Sequence, residues 1–384
     1  MSQLVWFDVP GSAGRLLIVL QHAVVDGVSW RILRPDLAAA WSGLQTGGTP
    51  ELEPAGSSFR RWSQVLADDA LRPDRRAERP RWTSMLTPPD PRLTPRPLDP
   101  VADAASVRRV TRWLPTELTE PILSSVPAAF HAGVNDVLLT ALTLAVSDWR
   151  RRQGLGAGSG VLIALEGHGR EEEVAEVDLS RTVGWFTSVF PVRLDPGAVD
   201  VAEALTGGPA AGQALKRIKE QLRALPDHGL GFGVLRYLDP ESGPVLAALP
   251  VPQLSFNYLG RFDTTPELPV PDHGGVGWAA VPGVGVLAGG FDDGMPVAPY
   301  ALEVNAFTED SAAGPQLAVT WAYPAALFSD EAVSDLADSW FAALAGLVAH
   351  AVAPTAGGHT PSDLTLGSLS QEEIDEFETE WETP

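Results

Sequence analysis

The sequence predicts a mixed α/β (α+β) chain folded in two lobes. Three observations carry that expectation. Short aliphatic runs, Leu16–Leu20 and Val161–Leu165, have the length and composition of strands buried on both faces. Longer stretches, around 135–152 and 330–352, place apolar residues at helical spacing. Strands and helices mix without a regular βα alternation or a dinucleotide-binding fingerprint, and a segment with six prolines, Thr87–Ala105, divides the chain.

Taken in order, Leu4–Val9 and Leu16–Leu20 read as adjacent strands joined by a turn at Pro10–Gly14. Asp26-Gly27 reads as a turn, and Ser29 as the N-cap of a helix with Trp30, Leu33, Leu37, Trp41 and Leu44 on one face. Pro35 conflicts with that helix, which is therefore expected to kink or to start later. Ser57–Ala70 reads as a second helix, and Thr87–Ala105 as an extended linker. Beyond it, strands are expected at Val107–Leu114, Val161–Leu165, Val183–Leu194, Leu254–Tyr258, Tyr300–Phe307 and Gln316–Tyr323. Helices are expected from Asn135 to Arg152, over much of Val199–Leu225 with a break near Gly207-Gly208-Pro209, over Asp330–Val352, and weakly from Gln371. The expected division is thus a first lobe at 1–86, a linker at 87–105, a second lobe at 106–370 and an acidic tail at 371–384.

Composition narrows the function. The 384 residues are 45% hydrophobic, enough for two lobes with real cores. A formal net charge of −22 argues against binding nucleic acid by phosphate neutralisation. With no Cys there is no disulfide, thiolate metal site or cysteine nucleophile. No leader pattern opens the chain, and no apolar run approaches the roughly 20 residues of a membrane span, so a cytoplasmic protein away from membranes is expected. The glycines of GLGAGSG at 154–160 lack the Lys-Ser/Thr of a phosphate loop and read as a flexible turn. HExxH and GxSxG are absent, and His131, His228, His273, His350 and His359 have no metal-ligand spacing.

The polar residues at the end of the second strand carry the strongest signal. Gln21-His22-Ala23-Val24-Val25-Asp26-Gly27 resembles the HHxxxDG motif of the condensation and epimerization domains of nonribosomal peptide synthetases. The extension VDGVSWRIL is closer to the epimerization branch. ALEGHGRE at 164–171, RTVGWFTSVFPV at 181–192, HGLGFGVLRYL at 228–238 and LSFNYLGRFD at 254–263 resemble epimerization-domain core motifs in the family's order. With the terminal TPSDLTLGSLSQEEID they cover nearly all of the chain. The resemblance implies a two-lobed, chloramphenicol-acetyltransferase-like fold. A complete domain of that family has a substantial segment before its histidine motif, whereas 20 residues precede Gln21 here, so the first lobe is expected to be incomplete.

The resemblance also implies roles. His22, otherwise a hydrogen-bonded structural histidine at a strand end, would match the motif's second histidine and act as a general base. Gln21 stands where the family has its first, supporting histidine. Asp26, beside Gly27, would pair with an arginine that the sequence does not identify and shape the histidine loop. Glu166, otherwise a solvated residue at a strand end, would be the second acid/base group, its pKa raised by partial burial. His168 and Arg170 would orient its loop, and Gly167 and Gly169 mark a close approach of backbone or substrate. Asn257 and Tyr258 would lie near the reacting carbonyl, although Tyr258 also reads as a core aromatic. Trp185 and Phe186 read as packing residues that could line a channel.

The implied activity is epimerization of the Cα of an aminoacyl or peptidyl thioester in nonribosomal peptide biosynthesis, an isomerase reaction using two bases. The substrate would ride on the 4′-phosphopantetheine of a partner carrier protein, and the chain itself would bind no cofactor or metal. Two alternatives stay open: amide-bond-forming acyl transfer by the same histidine loop, and a non-catalytic module that docks a carrier protein.

Overall fold

The structure is a computed structural model that describes residues 2–11, 14–156, 158–263, 297–311, 313–354, 356–364 and 369–381. It opens with an antiparallel pair, β1 (Ser2–Phe7) and β2 (Arg15–Leu20), in register from Ser2 opposite Leu20 to Phe7 opposite Arg15. A single 3-10 turn, His22–Val24, leads into α1 (Gly27–Gln45). The helix starts earlier than expected. Its cap is Asp26, whose carboxylate accepts the Ser29 N–H, so Ser29 lies inside the first turn rather than ahead of it. The helix runs on through Pro35.

The helices α2 (Phe59–Asp69), α3 (Pro73–Arg76) and α4 (Arg79–Leu86) follow. Ser58 caps α2 by accepting the Arg61 N–H at 3.1 Å. The last two helices went unread in the sequence, each having a proline in its first turn and few apolar residues. The rest of the chain supplies β3 (Val107–Leu114), α5 (Thr116–Leu123), α6 (Ser125–Ala129), α7 (Val134–Arg152), β4 (Val161–Gly167) and β5 (Ser188–Leu194). Then come α8 (Val201–Leu205), α9 (Pro209–Arg223), α10 (Leu230–Tyr237), α11 (Ser242–Ala247), β6 (Leu254–Asp263), β7 (Leu302–Ser311), β8 (Gly314–Pro324), α12 (Asp330–Ala351) and α13 (Gln371–Trp381). The expected strand over 183–194 begins only at Ser188, because the backbone of 184–186 is engaged elsewhere, as described below.

Six strands form one mixed sheet in the order β3-β8-β7-β6-β4-β5, with β4–β6 and β6–β7 parallel and the other pairs antiparallel. Side chains alternate between its faces. One face carries Leu165, Phe256, Val304 and Trp321, all buried. It packs on α7 and α12, where Trp340 meets Phe256 and Trp321 at ring distances of 6.3 and 5.8 Å and donates its indole N–H to the Leu138 carbonyl at 3.1 Å. Every residue of α7 from Asp136 to Arg150 is buried, so this helix is surrounded rather than laid on a surface. Only α12 among the described residues is long and apolar enough to cross a membrane, and its apolar side chains, Leu336, Trp340 and Leu344 among them, fill this core.

The opposite face is polar. One row reads Ala164, Ser255, Glu303, Ala322, Arg109 across β4, β6, β7, β8 and β3. In the next row Asn257, Asn305, Thr320 and Thr111 are in register, and Glu166 reaches Asn257 from β4. A sheet face so polar is one turned toward a cleft rather than a core.

The expected lobe boundary at 87–105 does not separate two cores. Trp62, Val65 and Ala70 pack with Val177, Leu179, Phe186, Leu230 and Val234, and Trp82 packs with Leu235 and Leu246. The segment itself is tied down: Leu93 is buried in the main core, and Asp90 pairs with the buried Arg150 at 2.9 Å. Its prolines make it extended, but its contacts hold it against the second half of the chain. By contrast, β1 and β2 leave Leu4, Trp6 and Phe7 exposed, with Trp6 stacked on Trp41 of α1.

Candidate active site

Asp26 is the hub that joins the histidine turn to the rest of the site. Its carboxylate accepts the backbone N–H and the hydroxyl of Ser29 at 2.7 and 2.8 Å, and the Phe186 N–H at 3.1 Å. The Arg170 guanidinium lies 3.2 Å away, so Arg170 is the arginine that the sequence left unidentified. Burial by itself raises the Asp26 pKa, but the hydrogen bonds from Ser29 and Phe186 and the Arg170 charge outweigh it, and the carboxyl is held below the usual range. Arg170 also donates to the Leu179 and Thr182 carbonyls at 2.8 and 2.6 Å and lies over the Phe186 ring at 3.9 Å. Ser29 closes the network: its hydroxyl accepts the Gly184 N–H at 3.1 Å and lies 2.9 Å from the Gly184 carbonyl, its single proton shared between that carbonyl and Asp26.

This network delivers His22 and Trp185 together. Their rings lie 4.8 Å apart, tilted by 55°, and both side chains are solvent-exposed. Gln21 works locally: its side-chain carbonyl accepts the Ala23 N–H at 2.6 Å and caps the turn that carries His22. Gly27 is the first residue of α1 and makes no close approach.

Glu166 is the penultimate residue of β4, which gives way after Gly167 to the His168–Arg170 loop. Its carboxylate accepts a hydrogen bond from Asn257 Nδ2 at 2.7 Å. Solvent reaches the side chain from the cleft, yet protein surrounds it on most sides. That desolvation pushes its pKa up, and the nearby Glu303 adds to the rise, while His22 and the Asn257 hydrogen bond work against it. His22 and Glu166, 144 residues apart in sequence, are therefore within electrostatic reach of each other in the folded chain. His168 stays exposed and accepts the Arg170 N–H on Nδ1 at 3.0 Å, while its Nε2 lies 3.6 Å from Glu171. Gly169 is needed for the backbone: φ is +66°, and a Cβ there would lie 1.8 Å from the Phe186 carbonyl oxygen.

Asn257 and Tyr258 part company. Successive strand residues face opposite ways, so Asn257 joins Glu166 in the cleft while Tyr258 joins Phe256 on the core side. The Tyr258 hydroxyl is hydrogen-bonded to Thr308 at 2.9 Å, and desolvation raises its pKa. Tyr258 thus has the core packing that its reading as a core aromatic expected. Sequence reasoning also passed over Glu303. The alternation in Leu302-Glu303-Val304-Asn305-Ala306 marks Glu303 and Asn305 as one polar face, and that signal was available. His273 and residues 365–368 of the terminal motif lie outside the described residues.

The Condensation domain family profile matches residues 6–366. The chain is 38% identical to a component of the linear gramicidin synthase of Brevibacillus parabrevis over 379 residues, covering 98% of the chain and 4% of that protein. It is 34% identical to Tyrocidine synthase 2 of the same organism over 371 residues, covering 95% of the chain and 9% of that protein. The chain thus spans a small part of these synthases. Its fold is similar to the crystal structure of the epimerization domain from the third module of tyrocidine synthetase B, with a TM-score of 0.72 and 31% identity over 91% of this chain and 72% of that one. These matches agree with the mixed sheet and histidine turn described above: the chain has the chloramphenicol-acetyltransferase-like fold and belongs to the condensation-domain family.

Proposed function

We propose that this chain inverts the Cα of an aminoacyl or peptidyl thioester carried on the 4′-phosphopantetheine of a carrier protein. What supports the proposal is that His22 and Glu166, from two distant parts of the chain, come within electrostatic reach of each other, with Asn257 hydrogen-bonded to the Glu166 carboxyl. The likeness to an epimerization domain supports the same reading over an acyl transfer.

A hydrogen α to a thioester carbonyl is weakly acidic, and its removal gives an enolate. One group takes the proton from one face of Cα. The other returns a proton to the opposite face, which inverts the centre. A carboxyl with a raised pKa keeps its proton to higher pH than an ordinary glutamate and is the better donor for it, and an imidazole accepts a proton near neutrality. Trp185 beside His22 shields that side of the cleft with an apolar ring.

The test is incubation of the protein with an L-aminoacyl carrier in deuterated water. Chiral analysis of the hydrolysed amino acid should show the D form, with deuterium at Cα. Amide formation with an added aminoacyl carrier, and no inversion, would assign condensation instead. Carrier binding with neither reaction would assign a docking module.

A further inference from the structure

We infer that Glu303 is a positioning residue for Glu166: from the adjoining row of the same polar sheet face, its carboxylate disfavours a second negative charge beside it. The inference rests on the role proposed above for Glu166. Glu303 lies in register with Ser255 of β6, and Ser255 with Ala164 of β4, two residues before Glu166 on the same face. A single strand, β6, therefore separates the two carboxyls, and the Asn257 side chain on that strand already bonds to Glu166.

The surroundings favour this arrangement. Glu303 is half-buried, and desolvation raises its own pKa, while the Arg109 charge from β3 works against that rise and favours a carboxylate. Arg109 is placed for this by register, since both it and Glu303 stand opposite Ala322. The other charged or titratable groups toward the pair are His22 on the histidine turn and Tyr300 ahead of β7. Tyr300 is pushed up to about 12, first by desolvation and then by the charges of Glu166, Tyr237 and Glu303. Of the charged groups acting on Glu166, Glu303 opposes its ionisation and His22 favours it. An acid that must give a proton to an enolate benefits from such a neighbour.

The test reads ionisation directly, without turnover. Carboxyl signals of the 13C-glutamate-labelled protein are titrated, with Glu166→Gln identifying the Glu166 signal. Glu303→Gln should lower the Glu166 midpoint by roughly half a pH unit or more, and Glu303→Asp should keep much of the effect. Glu309→Gln, further along the same strand, should leave it in place. Coupling between two sites is reciprocal, so Glu166→Gln should lower the Glu303 midpoint by the same amount. That second measurement keeps the inference testable if Glu303→Gln does not fold. Midpoints that do not respond to each other's removal would overturn it. A shifted Glu166 midpoint without any change in the pH–rate profile would uphold the coupling and count instead against Glu166 as the acid.

Discussion

Asp26 and Arg170 stand 144 residues apart in sequence and meet at 3.2 Å, both nearly buried. One belongs to the histidine turn and the other to the loop after Glu166, so this ion pair fixes the two halves of the site against each other. Without it, Asp26 keeps its Ser29 and Phe186 donors but loses its countercharge.

We therefore expect Arg170→Met to destabilise the protein by about 3 kcal/mol, the lower end of the range for breaking a buried pair. Denaturant unfolding at neutral pH measures this. The pH dependence has a definite sign. The Asp26 pKa is depressed, so its contribution is present above the unfolded value of 3.8 and is lost as pH falls through the folded value. Arg170→Met should shrink that acid-side loss, because less of the depression remains.

His22→Ala and Glu166→Gln should each slow inversion by about 10²–10⁴-fold, the usual cost of losing a positioned acid or base. Carrier affinity should change far less, since proton transfer is a transition-state interaction. Because each direction uses one group as base and the other as acid, Cα–deuterium exchange should fail selectively. Starting from one enantiomer, one variant should lose exchange and the other should exchange without inverting. Equal loss of binding and rate in both variants would signal damage to the fold.

Asn257→Ala and Tyr258→Phe separate two neighbours that sequence reasoning treated alike. Asn257→Ala removes the donor at 2.7 Å from Glu166 and should cut the rate roughly tenfold, equivalent to about 1.4 kcal/mol. It should also move the Glu166 limb of the pH–rate profile upward, since that hydrogen bond favours the carboxylate. Tyr258→Phe breaks only the bond to Thr308 on the core side, so we expect about 1 kcal/mol of lost stability and an unchanged rate. A large rate defect in Tyr258→Phe would return that hydroxyl to the chemistry.

These contrasts mark what the sequence could and could not reveal. Strand β3 is found at Val107–Leu114 as read, because the stretch is rich in β-branched and aromatic residues and ends at Pro115. The long helix to Arg152 was legible because its apolar residues are dense. The motif residues His22, Asp26, Glu166 and Arg170 were legible as a set, but the contact of Asp26 with Arg170 was not: a motif says which residues matter, and only the fold says which two touch. Ser29 shows the limit of local rules. It has the chemistry of a cap, yet Asp26 three residues earlier takes that position and Ser29 becomes a buried bridge to Gly184. The short helices α4, α10 and α11 were lost because tertiary contacts, with Trp62, Trp82 and Leu235 at their centres, stabilise them more than their own periodicity does.

Stability as a function of pH gives the last expectation. Desolvation first, and Glu303 second, raise the Glu166 pKa above its ordinary 4.5. Between that value and the folded one, the native state holds a proton that the unfolded chain has released. Stability then falls as pH rises, and it levels off once pH passes the folded value. Glu166 is in this sense a destabilising residue at neutral pH, as acid/base groups held for function often are. Replacing it with the neutral, nearly isosteric Gln removes the titration. The difference in unfolding free energy between Glu166→Gln and the parent should grow from about pH 4.5 upward and then become constant. Urea unfolding of both proteins from about pH 4 to about pH 8 measures that difference, and subtraction cancels the other carboxylates. A difference that stays flat across the range would mean that Glu166 titrates as it does in the unfolded chain, and the cleft would then have no reserve of acid near neutrality.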